Sequence, residues 1–218
     1  MKILDVPQSG SVAGVTSSRN RFGQYRRTRA IPVNPASSYQ GTQRARLAAA
    51  SAAWRSLTAA QRAGWNDLAA GVTRTNSLGQ SYNMTGHMCF VSCYNDCAAA
   101  GVSVLSDAPA VATPSTPLTA TITLTAAAFS IAFTPTPLAA GIRMFTYVSL
   151  QRSAGRSFEN DFRLLQVSAA AAASPINAYA AYVARFGVPV VGNRIFVALR
   201  TFQTAFLSGP LITSAVVA

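Results

Sequence analysis

The sequence predicts an α+β chain: an extended N-terminal β-arm, a small helical segment and a C-terminal antiparallel β-sandwich with a short helical insertion. Three observations carry this reading. The apolar period changes from weak alternation to helical spacing near Ser37, and from helical spacing to strict alternation after about Leu118. A Pro-rich stretch, residues 106–118, separates the last two regimes. Finally, 50% hydrophobic residues and a mean hydropathy of +0.26 over 218 residues leave ample material for a core.

Residues 1–36 read as the arm. The run SGSVAGVTSS alternates weakly, Arg19-Asn20-Arg21-Phe22-Gly23 supplies turn residues, and QYRRTRAIPV alternates again up to Pro32 and Pro35. Residues 37–105 read as helical. Ser37 or Ser38 caps a helix ending near Ser56, with Tyr39, Leu47, Ala50 and Trp54 as its apolar positions. Thr58 and Gln61 match a capping box, in which the hydroxyl takes the N3 amide and the Gln side chain returns to the cap amide. The second helix runs to about Ala70, with Trp65 and Leu68 on one side and Gly71 predicted as a left-handed C′ residue. After the loop TRTNSLGQSYNM, a third helix from Thr85 to Ala100 buries either Met88, Val91 and Tyr94 or its cysteine face, and stops at Gly101. Trp54 and Trp65 are the expected anchors of this helical core.

Residues 119–218 form the expected sandwich. Phe129, Ile131 and Phe133 share one face of a strand, as do Ile195, Val197 and Leu199. Further strands are predicted at 119–125, 143–152, 162–167, 194–202 and 211–217, and a short helix at 177–186 is expected across an open end of the sandwich.

Charge narrows the function. Eighteen basic residues oppose six acidic ones, a net charge of +12, which favours polyanions or acidic protein surfaces as partners. Only 11% of residues are charged, against roughly 25% in ordinary soluble domains, so other subunits are expected to cover much of the surface. Lys2 is the only lysine, so the other seventeen cations are arginine. Arginine suits bidentate contacts at interfaces; host codon composition would also enrich it. In residues 1–50, eight cations face Asp5 alone, a net of +7. Arg19, Arg21, Phe22, Tyr25, Arg26, Arg27 and Arg29 are therefore the candidate assembly interface, and the same arm is the candidate contact with DNA.

No catalytic set is expected. His87 is the only histidine, which removes most acid–base and triad schemes. Cys89, Cys93 and Cys97 stand at i, i+4, i+8, spreading three sulfurs over about 12 Å of helix axis, too far for one zinc ion; they are read as reduced packing residues. Glu159 and Asp161 are the one close carboxylate pair and are expected in a salt-bridge cluster with the flanking Arg156 and Arg163. Neither a G-x-S-x-G elbow nor a Walker A, dinucleotide or EF-hand motif occurs, so no cofactor or metal is expected. No run of residues is apolar and long enough to span a membrane. MKILDVPQSG lacks an apolar h-region and a cleavage site, so synthesis and retention in a cytoplasm are expected.

The stretch SGSVAGVTSSRNRFGQYRRTRAIPVNP, then AWRSLTAAQRAGWNDLA and NSLGQSYNMTGHMCFVSCYND, resembles a group of tailed-phage structural proteins. In these a glycine-punctuated basic arm precedes a W-x-x-L-T-x-x-Q-R-x-x-W helical pair, here Trp54, Leu57, Thr58, Gln61, Arg62 and Trp65. The ending IFVALRTFQTAFLSGPLITSAVV looks like the last strands of a fibronectin type III or immunoglobulin-like module, from which the helical stretch 177–186 departs. The resemblance implies a non-enzymatic virion component, made in the host cytoplasm: a capsid cement or decoration protein, or a head–tail or tail component. It implies partners among the major capsid, tail or head–tail subunits, a multi-copy or homo-oligomeric state, and contact with packaged DNA. A nucleic-acid-binding module using the arm is the alternative.

Overall fold

A computed structural model describes residues 9–21, 23–76, 78–110 and 114–218. Phe22, one of the candidate interface residues, lies outside the described residues. The chain divides between Gln43 and Arg44 into two units. It is a mixed α+β fold, with several antiparallel sheets and four helices among the described residues.

In the first unit, β1 (Gly10–Val12), β2 (Val15–Asn20) and β3 (Gly23–Thr28) form a three-stranded antiparallel meander, one strand more than a hairpin. Gly23, at φ +116°, makes the sharp re-entry into β3 that a residue with a Cβ would resist. The Arg29 amide donates to the Gly14 carbonyl at 2.8 Å, extending the β2–β3 ladder by one rung.

Helix α1 (Ser38–Ser56) occupies the expected span. Tyr39 and Leu47 are exposed, however, and of this helix Ala50, Ala53 and Trp54 near its end join a core. Helix α2 (Ala59–Ala70) starts on the expected capping box: the Gln61 amide donates to Thr58 Oγ1 at 3.2 Å and the Thr58 amide to Gln61 Oε1 at 3.0 Å. Its end differs from expectation, because Gly71 is right-handed (φ −85°, ψ −6°) and donates to Leu68 and Ala69 carbonyls as the last turn tightens. The loop 73–83 contains a small hairpin, β4 (Thr73–Thr75) with β5 (Ser81–Asn83). Helix α3 (Gly86–Ala100) is capped by Thr85 and ends on Gly101 in the left-handed conformation at φ +65°. At Gly86 a Cβ would lie 2.2 Å from Asn66 Oδ1 and 2.8 Å from the Asn66 amide nitrogen, so α2 and α3 meet there backbone to backbone. Of the two faces open to α3, the cysteine face is buried, with Phe90 beside it, while Met88 is exposed.

The C-terminal strands are β6 (Thr119–Leu124), β7 (Phe129–Thr134), β8 (Arg143–Val148), β9 (Arg152–Ser153), β10 (Arg163–Val167), β11 (Ile176–Asn177), β12 (Asn193–Gln203), β13 (Phe206–Leu207) and β14 (Leu211–Val216). Sheet β11-β7-β6 and a six-stranded sheet centred on β12 send alternate residues into one core. Phe129, Ile131 and Phe133 come from the first sheet, and Met144, Val148, Ile195, Val197 and Leu199 from the second. Helix α4 (Tyr179–Phe186) adds Tyr182, fully buried with its ring 5.5 Å from that of Phe129.

The other face of the six-stranded sheet is not a solvent face. Phe145, Phe202 and Ala205 pack with Leu57, Trp65, Leu68, Phe90 and the three cysteines in a second core, so helices α2 and α3 cover that face. The stretch read as a linker is tied at both ends: Ser106 O accepts from Trp65 Nε1 at 2.9 Å, and Ser115 O accepts from Thr201 Oγ1 at 2.7 Å.

Candidate functional site

The arm is the first candidate. Antiparallel pairing sorts its side chains by register, since directly opposed residues share a face. Ser18 opposes Tyr25 and Thr16 opposes Arg27, placing Tyr25 and Arg27 on one face. Ser17 opposes Arg26 and Arg19 opposes Gln24, placing Arg19 and Arg26 on the other. Arg21 sits in the turn and Arg29 just beyond β3. Both faces are thus basic, and no described residue of the meander is buried. Apolar side chains stand in the open beside it: Val12 is 80% exposed, Ile31 75% and Val33 88%. Between Asp5 and Asp67 the sequence holds nine arginines and no acid. The meander and the segment after it therefore present cations and loose apolar groups without a core beneath them.

Trp54 and Trp65 lie in the helical core. Trp65 is 1% exposed and meets Phe90 edge-on at 5.2 Å; Trp54 is half-buried against Phe90 and the His87 ring, 5.5 Å away. Among the described residues no group of three His, Cys, Asp or Glu side chains could hold a metal ion.

Glu159 and Asp161 form the expected salt-bridge cluster, in the loop before β10. The buried Glu159 carboxylate accepts from Arg152 Nε, from Arg156 Nη2 at 3.4 Å and from the amides of Asn160 and Asp161 at 3.0 Å each. Asp161 pairs with Arg163 at 3.5 Å. The Asp161 amide and then Arg152 hold the Glu159 carboxyl down at about 2.

A second site was not foreseen. A cleft of about 240 Å³ lies where α3 meets the β4–β5 hairpin and the β12–β13 turn. Its charged lining comes from three distant parts of the chain: Arg74 on β4, Asp96 on α3 and Arg200 on β12. Ser92, Cys89 and Cys93 line it too. Among the described residues no ion pair within 4.0 Å joins Asp96 to either arginine. The Arg200 guanidinium carbon lies over the Tyr147 ring, 5.9 Å from its centroid. Burial pushes the Asp96 carboxyl up to about 6, against the pull of Arg74 and Arg200. The Cys89 thiol is lowered by its hydrogen bond with Cys93 and by Arg74, while that bond and burial raise Cys93. The one local signal was the i, i+4, i+7 spacing of Cys89, Cys93 and Asp96, which puts a carboxylate on the buried face of α3.

Comparison of the chain with protein-family models, curated proteins and solved structures returned no match. No helix among the described residues is long and apolar enough to cross a membrane.

Proposed function

We propose that this chain is a non-enzymatic structural subunit of a tailed-phage virion, a cement, decoration, head–tail or tail component that attaches to neighbouring subunits through its basic arm. One observation carries the reading: the meander is ordered secondary structure without a single buried described residue. Three strands need an apolar face packed on something to be independently stable, so a neighbour supplies the missing packing. The acid-free run from residue 6 to residue 66 supports an acidic neighbour as the arm's acceptor. The C-terminal region is read as a fibronectin type III or immunoglobulin-like module. Its two antiparallel sheets sharing one core support that reading, and α4 and the helices on its outer face are its additions.

The test is deletion of residues 1–36. The truncated protein is expected to fold and remain soluble but to be missing from purified particles; normal incorporation defeats the proposal. The same acid-free run favours a nucleic-acid-binding module as the second reading. That reading requires duplex DNA binding that falls steeply with salt, and an absent or salt-independent gel shift dismisses it.

A further inference from the structure

The cleft between α3, the β4–β5 hairpin and the β12–β13 turn has charges that the assembly reading leaves unused. Arg74 and Arg200 line it without an acidic partner in contact, and Asp96 lines it without a cation in contact. The Arg200 guanidinium carbon lies over the Tyr147 ring, 5.9 Å from its centroid, and among the described residues Arg200 makes no ion pair. Two guanidiniums match the oxygens of a tetrahedral oxyanion. A carboxylate beside them repels a fully ionised anion but accepts a hydrogen bond from one that still carries a proton.

We propose that this cleft binds a protonated phosphoryl group, as inorganic phosphate or a phosphomonoester, with its oxygens on Arg74 and Arg200 and its P–OH on Asp96. Ser92 adds a hydroxyl to the lining. Phosphomonoesters retain a second proton near pH 6, in the range where the half-buried Asp96 itself exchanges one, so ligand and carboxyl share a single proton around pH 6. The groups whose charge acts on or is acted on by Asp96 are Arg74 from β4, Arg200 from β12, Tyr147 from β8, and Cys93 and Cys97 from its own helix. Sulfate has the same shape but no proton at neutral pH, and a nucleic-acid phosphodiester has none either. The cleft therefore discriminates by protonation, which the arginine arm cannot do.

Isothermal titration calorimetry of the full chain with inorganic phosphate, glycerol 3-phosphate and sulfate at neutral pH tests this. Phosphate is expected to bind about tenfold or more tightly than sulfate. Glycerol 3-phosphate matching or exceeding phosphate assigns the site to monoesters; weaker binding assigns it to the free ion. Asp96→Asn is expected to collapse the phosphate-to-sulfate ratio towards one, because the amide can donate to either anion. Arg74→Gln, on an exposed strand, and Arg200→Gln are each expected to weaken phosphate by about tenfold or more; the first keeps the test readable if the second fails to fold. Equal binding of phosphate and sulfate by the unaltered chain, no binding of either, or phosphate binding that survives Arg74→Gln overturns the proposal. None of these outcomes bears on particle incorporation, so the arm and the cleft stand or fall separately.

Discussion

Strands β2 and β12 are both central strands, each flanked by antiparallel neighbours, yet β12 buries seven of its eleven residues and β2 none of its six. The backbone ladders are alike; the difference lies in what covers them. On β12, Ile195, Val197 and Leu199 meet the opposing sheet while Phe202 meets helices α2 and α3. On β2 the side chains are Val, Thr, Ser, Arg and Asn, whose cross-strand pairs contribute roughly 0.2–1 kcal/mol each. A ladder of hydrogen bonds already satisfied by water in the unfolded chain adds little net stability. The arm thus keeps its ladder without burial among its described residues, whereas in the second unit secondary structure follows from burial.

Phe145 is fully buried where the sheet meets the helices. Phe145→Ala should cost about 3–5 kcal/mol and lower the unfolding of helices and sheets together, seen as one coincident transition by far-UV and aromatic circular dichroism. Two separate transitions would show the helical core and the sheets to be independent. Gly86→Ala drives a Cβ into the Asn66 backbone and should cost about 1–3 kcal/mol in urea unfolding. Asp96→Asn runs the other way. Its folded pKa of about 6 exceeds the ordinary 3.8, so the folded state holds the proton more tightly, and ionisation above about pH 6 costs stability. The asparagine variant should gain roughly 1–2 kcal/mol at pH 8, with the gain fading as the pH falls from about 6 towards 4. Thr146 is fully buried with an unpartnered Oγ1, so the near-isosteric Thr146→Val should gain up to about 1 kcal/mol. The smallest effect belongs to the arm. Arg26→Ala and Arg27→Ala should each leave the melting of the isolated chain within about 0.5 kcal/mol, and a larger loss would show that the arm is held by the chain itself.

How much of this was legible in the sequence depends on the range of the interaction. Local chemistry was readable: the Thr58–Gln61 capping box, the span of α1, Gly101 at the end of α3, and the inward faces of β7 and β12 all follow from neighbours within one turn or two residues. Gly71 was misread because a right-handed last turn and a left-handed cap use the same residue, and only the path of the following chain decides between them. The outer face of β12 carried a mixed signal: Phe196, Ala198 and Phe202 are buried apolar residues, but Arg194 and Arg200 share that face. The cleft was beyond reach, since Arg74, Asp96 and Arg200 meet only through the packing of α3 on the sheet.

The arrangement of arginines has a practical reach. Trypsin cuts after arginine, and Arg19, Arg21, Arg26, Arg27 and Arg29 all lie in exposed backbone with no core to shield them, whereas Arg152 and Arg194 are set in the ladder of a buried sheet. Brief digestion should therefore shave the free chain to a resistant remainder, and whatever grips the amino-terminal segment will declare itself as a footprint, by the cuts it prevents.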